Sequence, residues 1–195
     1  MIRSTNIPVA LLQICNAITP MQANVVADIE QALEYKFLKK KDLLLKEGQV
    51  NKHIYFIEKG LIRSFYTEED NEITTWFMKE NDLIISVKSF FIQAPSTESL
   101  EAIEDCDLYY ISHKSLNELY NKYQSFNTIG RVLTQHYYML SEERLLNLRK
   151  KEALTRYQHL LQYHPQIAMR SPLKYIAAYL GITIETLSRL RAKRI

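Results

Sequence analysis

Three side chains near the end of the chain, Glu185, Ser188 and Arg189, have the types and spacing of a base-reading set. Arginine offers two donors to guanine O6 and N7, glutamate accepts from cytosine N4, and serine serves either kind of base edge. On a helix, residues three and four apart are neighbours, so one face presents all three. The same spacing permits a plain Glu185–Arg189 ion pair along the helix, worth about 0.2–0.5 kcal/mol. Around this set Arg170, Lys174, Thr183, Thr186, Arg191, Lys193 and Arg194 suit phosphates, where position counts more than pattern.

Such a set needs two helices to hold it. Ser171 is expected to cap the first, with Pro172 at its first position. That helix ends at Gly181, where a left-handed turn favours a residue without Cβ. Thr183 then caps the second. Ala177 is small enough for a close helix crossing, and Ile176, Leu180, Ile182, Leu187 and Leu190 fall on the inner side. Two helices joined by a short glycine-containing turn form a helix-turn-helix, the DNA-reading motif, with an ordinary αα-hairpin as the alternative. Charge favours the motif. Residues 144–195 carry eleven Lys or Arg against two acids, a net +9, whereas residues 1–143 carry fourteen against twenty, a net −6. A basic end on an acidic body suits an anionic partner, nucleic acid first, although a merely solvated basic helix has the same composition.

The remaining sequence says what carries this end. The chain has 195 residues with globular composition, 47% hydrophobic and 24% charged. Only four glycines occur, without Gly-x-Gly-x-x-Gly or a phosphate-loop pattern. No apolar run approaches a membrane span, so neither a membrane partner nor a secretory signal is expected. Cys15 and Cys106 are isolated, which fits a reduced, cytoplasmic setting and excludes a four-thiolate cluster. His53, His113, His136, His159 and His164 are scattered, so no metal, haem or other cofactor is expected. An enzyme on a small β-barrel would need His-x-His with a carboxylate, and no such pattern is present. The chain is therefore read as a non-enzyme with no catalytic residues.

Residues 8–35 have helical spacing, with Val25, Ile29 and Leu33 on one face. Seven short β-rich segments follow: 43–45, 54–57, 61–66, 73–78, 83–85, 100–103 and 108–111, parted by turn residues such as Glu47-Gly48 and Lys59-Gly60. Close-spaced strands with no 10–15-residue helix between them indicate a sandwich or small barrel. Helices return at 115–123, 126–151 and 152–163. The long one carries a stripe of Ile129, Leu133, His136, Leu140, Glu143 and Asn147, with Val132, Met139 and Leu146 on or beside it. Such a stripe pairs with its twin or packs on the barrel.

Taken together, the chain resembles the cyclic-AMP receptor protein / fumarate-nitrate regulator (Crp/Fnr) family. The resemblance rests on Lys39-Lys40-Lys41-Asp42 through Lys46-Glu47-Gly48, on Tyr55-Phe56-Ile57-Glu58-Lys59-Gly60-Leu61-Ile62-Arg63, and on Thr186-Leu187-Ser188-Arg189-Leu190. It covers about residues 25–195 and implies an α+β fold: N-terminal helices, an antiparallel β-roll of the jelly-roll kind, a long dimerisation helix and a helix-turn-helix. The implied domains are 1–112 for the helices and sensor roll, 113–150 for the linker and dimer helix, and 151–195 for DNA binding. The implied function is transcription regulation, with operator DNA bound by a homodimer through helix 126–148 and RNA polymerase as a further partner. The family's nucleotide cassette is altered. Ile85-Ser86 stand where the ribose-holding Gly-Glu is found, and Ser96 stands where an arginine grips the cyclic phosphate. Thr97 is kept. Without the guanidinium fork, cyclic AMP is not expected to bind in the usual way. Ser86, Lys88, Ser96 and Thr97 remain the candidate pocket for another small-molecule effector. Two further departures are Ile184, where an arginine often precedes the glutamate, and the lack of a β-hairpin wing before Ile195. The competing reading is a regulatory or scaffold protein whose roll binds a ligand or partner while the helix-turn-helix no longer binds DNA.

Overall fold

The structure is a computed structural model that describes residues 7–150 and 152–192. Two short helices, α1 (Val9–Ile18) and α2 (Ala23–Ala32), precede strands β1 (Glu34–Leu38), β2 (Leu43–Leu45), β3 (His53–Lys59), β4 (Ile62–Glu68), β5 (Asn71–Met78) and β6 (Leu83–Ile84). Helix α3 (Val87–Ile92), β7 (Ser99–Ala102) and β8 (Cys106–Ser112) complete the roll. Then come α4 (His113–Lys122), α5 (Gln124–Lys150), α6 (Ala153–Tyr163), α7 (Pro165–Arg170), α8 (Leu173–Leu180) and α9 (Ile184–Ala192). The α+β reading holds.

The strands form two four-stranded antiparallel sheets, ordered β1-β8-β3-β6 and β2-β7-β4-β5. Successive side chains of a strand point to opposite faces. The inward set, including Leu38, Leu45, Tyr55, Ile57, Ile62, Met78, Leu100 and Leu108, fills the space between the sheets. Gly60 turns β3 into β4 at φ +112°. A Cβ there would lie 2.5 Å from Cys106 Sγ and 2.9 Å from the Asp105 carbonyl oxygen, so only glycine fits. On the flank of the roll, α2 and α4 bury Val25, Ile29, Leu116 and Leu119 with Phe90 and Ile111. Ser112 caps α4 by accepting from the Ser115 backbone N–H at 3.0 Å.

One expectation changes and two are refined. The helical spacing of 8–35 ends at Ala32, and Glu34–Leu38 instead pairs along β8 from Glu34↔Tyr110 to Leu38↔Cys106. Helix α3 occupies 87–92, a six-residue helix shorter than the 10–15 residues that the sequence reading excluded between strands. On α5 the apolar part of the stripe packs inward, the second of the two alternatives: Ile129 is buried and Leu133, Leu140 and Asn147 are half-buried, while His136 and Glu143 stay exposed. The exposed apolar residues of this helix are Tyr138, Met139, Leu145, Leu146 and Leu148. The roll claims the first stripe because it offers apolar surface within the same chain.

The C-terminal helices do not hang free. Leu61, Phe77 and Ile103 of the roll share one buried cluster with Tyr157, Leu160, Ile167, Ile176, Ala177, Leu180 and Leu187. Among the described residues, no helix is long and apolar enough to cross a membrane.

Candidate nucleic-acid interface

Helix α8 ends at Gly181 with φ 63° and ψ 41°, the left-handed conformation that a side chain disfavours. The Gly181 N–H donates to the Ala178 carbonyl at 3.1 Å, and the Ile182 N–H to the Ala177 carbonyl at 3.0 Å. These two bonds satisfy carbonyls at the helix end and redirect the chain. Thr183 Oγ1 accepts from the Thr186 N–H at 3.2 Å and opens α9. Ala177 is 2% exposed and Leu187 fully buried, so the two helices cross closely where small and apolar residues meet. The result is a helix-turn-helix with its inner side sealed against the roll. Ser171 does not cap α8. Pro172 takes the cap position, and among the described residues the buried Ser171 hydroxyl has no hydrogen-bond partner.

The outer face of α9 presents Glu185, Ser188 and Arg189, all exposed. Among the described residues, no ion pair joins Glu185 to Arg189 and no carboxylate pairs with Arg189. The Glu185 carboxyl is held below its ordinary range by its own backbone N–H and by the Thr183 hydroxyl, with Arg189 adding a smaller pull. Thr183, Lys174 and Arg191 are exposed nearby, and Thr186 is half-buried. The Lys174 ammonium lies 4.6 Å over the Tyr175 ring. Lys193 and Arg194 lie outside the described residues.

Arg170 is a correction. Its guanidinium donates to both oxygens of Glu80, at 2.7 and 2.8 Å, and also to Glu104. Both acids belong to turns of the roll, so Arg170 is spent on docking rather than on phosphate. Burial pushes the Glu80 carboxyl up, but the Arg170 bonds and the Gly60 N–H at 2.9 Å outweigh it and hold it at about 2. A second arginine joins the same parts. Arg63 is fully buried, 2.6 Å from Glu72 and 2.5 Å from Glu101, and lies between the rings of Phe65 at 4.0 Å and Tyr175 at 3.5 Å. Sequence reasoning found Arg63 only as part of a hairpin pattern, and no local signal ties it to Tyr175.

Comparison with known proteins agrees with this geometry. A family model described as the cyclic nucleotide-binding domain matches residues 35–123. Those residues are similar to a cyclic nucleotide-binding domain. No curated protein matches the sequence. Among solved structures, FixK2 from Bradyrhizobium japonicum is 20% identical with a TM-score of 0.72, covering 83% of each chain. A transcriptional regulator of the crp/fnr family from Eubacterium rectale is 15% identical with a TM-score of 0.70, covering 89% of this chain and 83% of its own. The regulator CLP of Xanthomonas campestris, described as responsive to c-di-GMP, is 17% identical with a TM-score of 0.66, covering 88% and 91%. The chain has the Crp/Fnr fold from roll to helix-turn-helix.

Within the roll, the expected pocket residues divide. Ser86 and Ser96 are brought together, their hydroxyls 2.9 Å apart and buried. The Ser96 hydroxyl also donates to the Glu98 carbonyl at 2.7 Å, and the Ser86 N–H donates to Asn51 Oδ1 at 2.7 Å. Lys88 and Thr97 are exposed and join no bond with this pair. The Glu98 carboxylate accepts from the Ser64 hydroxyl. Ser86 and Ser96 thus bond to one another and contribute hydroxyls at the two positions.

Proposed function

We propose that the chain is a transcription regulator of the Crp/Fnr type that binds duplex operator DNA as a homodimer. One observation carries this reading: Glu185, Ser188 and Arg189 stand exposed on the second helix of a helix-turn-helix whose opposite side is sealed. An arginine with no carboxylate partner among the described residues is ready to meet a guanine edge. Lys174, Thr183, Thr186 and Arg191 flank that face and suit phosphate contacts. Pairing through the outward side of α5 places two recognition helices about one DNA turn, ~34 Å, apart. In this reading the chain works in the cytoplasm, with RNA polymerase as a further partner. Residues 1–112 carry the sensor, 113–150 the dimer helix and 151–195 the DNA reader. The serine pair at 86 and 96 supports a roll that does not hold cyclic AMP through the usual arginine.

The test is selection of a preferred duplex from random DNA, followed by gel-shift titration of Arg189→Ala. The variant is expected to lose about 1–3 kcal/mol on the selected site while its salt-dependent non-specific binding stays nearly intact. An unchanged preference would remove Arg189 from base reading.

A further inference from the structure

Between the roll, the long helix and the helix-turn-helix lies a cavity of 310 Å³. This is at the lower end of the size range of small-molecule sites. It is separate from the nucleotide cassette, since no residue between 86 and 97 lines it. Its most telling wall residue is Arg144. The Arg144 guanidinium donates from Nε to the Thr75 carbonyl at 3.0 Å and from Nη2 to the Tyr179 carbonyl, and it lies 3.4 Å over the Tyr179 ring. No carboxylate pairs with it among the described residues, and its Nη1 has no acceptor there. A cation withdrawn from water is costly unless an anion meets it. Burial lowers its pKa, and Arg156 on the same wall lowers it further, with only a partial offset from Tyr179. Arg156 is itself fixed, its Nε donating to the Leu180 carbonyl at 2.9 Å. The nearest acid on this wall by sequence, Glu143, is turned to His159 at 3.1 Å. Trp76 and Tyr137 supply flat walls, and Tyr163, 60% exposed, stands among the lining residues with an open side.

We propose that this cavity binds a small organic oxyanion: its phosphate or carboxylate is received by Arg144 with Arg156 beside it, and its ring lies among Trp76, Tyr137 and Tyr163. A planar guanidinium fork matches either oxyanion, and aromatic walls favour a flat body. Such an occupant touches all three parts of the molecule, so its binding is linked to the docking of the helix-turn-helix.

Trp76 is the only tryptophan of the chain and lines the cavity, so its fluorescence reports occupancy. The full-length chain is titrated with phenyl phosphate, benzoate and, as a neutral ring, benzyl alcohol. A saturable change with either anion below about 10 mM is expected, and none with the alcohol. The tighter anion identifies which acid group the site takes. Arg144→Gln is expected to weaken that anion at least about tenfold. Glu143→Gln, which removes an exposed acid from the wall, is expected to tighten it about two- to fivefold, and this variant decides the matter if Arg144→Gln fails to fold. Absence of a saturable signal with both anions, an equal response to the alcohol, or an affinity unmoved by the folded variants overturns the proposal.

Discussion

Arg170 shows how a single side chain changes its meaning with its partners. By type and position it belongs with the phosphate-binding cations, yet its five donors face two glutamates of the roll. Nothing nearby in the sequence announces this, because Glu80 is 90 positions away and Glu104 is 66. The Glu80 carboxyl drops from an ordinary 4.5 to about 2 in the folded chain. A carboxyl with a depressed folded value contributes its full stability above about 4.5, where both states are ionised. As the pH falls towards 2 the unfolded chain takes up the proton first, and that contribution drains away. Replacing Arg170 with Gln is expected to cost about 1–2 kcal/mol near neutral pH, a figure reduced because these side chains are 23–34% exposed to screening solvent. The wild-type advantage should shrink between pH 4.5 and 2 when denaturant unfolding is followed across that range. A difference independent of pH would assign the effect to packing of the arginine stem instead of its charge.

At the scale of elements, the turn between α8 and α9 is the clearest case in which sequence dictates conformation. Gly181 holds φ at 63°, and a Cβ added there would meet only Leu148 Cδ2, at an ordinary 3.9 Å. Space is available, so the cost of Gly181→Ala comes from the backbone alone, about 1–2 kcal/mol. Chemical denaturation should show that loss, and the preferred DNA sequence should not change, since the proposed base-reading face lies on α9. A loss well below 1 kcal/mol would mean that the turn relaxes. Elements with a local signature of this kind were legible: the Thr183 cap, the inner leucines and isoleucines, and strands whose alternate residues face the core. Strand β1 was not legible, because four of its five residues are exposed and only Leu38 enters the core. Its strand state is imposed by β8, about seventy residues later. Helix α3 was hidden for a related reason: Val87, Phe91 and Ile92 are exposed, so no buried stripe marks it. The shared exposed face of Glu185, Ser188 and Arg189 was readable, since it needs only helical spacing. The arginines that join distant elements, Arg63, Arg144 and Arg170, were not.

For the molecule as a whole, the docking of α8 and α9 on the roll fixes where the proposed recognition helix α9 lies relative to α5, and hence relative to a second copy in the proposed dimer. Helix α5 has two apolar sides. One is consumed by its own roll and C-terminal helices. The other leaves Tyr138 at 65%, Met139 at 61%, Leu145 at 40% and Leu146 at 46% exposure, an apolar strip that a monomer would leave in water. Met139 and Leu146 are seven apart, with Val132 seven earlier, the repeat that keeps two helices in register along a shared seam. If this strip closes the proposed dimer, Met139→Glu with Leu146→Glu sets four like charges against one another across the seam. Sedimentation velocity should then find monomers. The single-chain melting temperature should hold, because both positions are exposed in the subunit and changes at such sites stay within about 0.5 kcal/mol. Affinity for a duplex with two half-sites should fall to that for one, since two linked readers gain from effective concentration and separated ones do not. A double variant that sediments as a dimer would place the pairing surface elsewhere and remove the geometric basis for two recognition helices one turn apart.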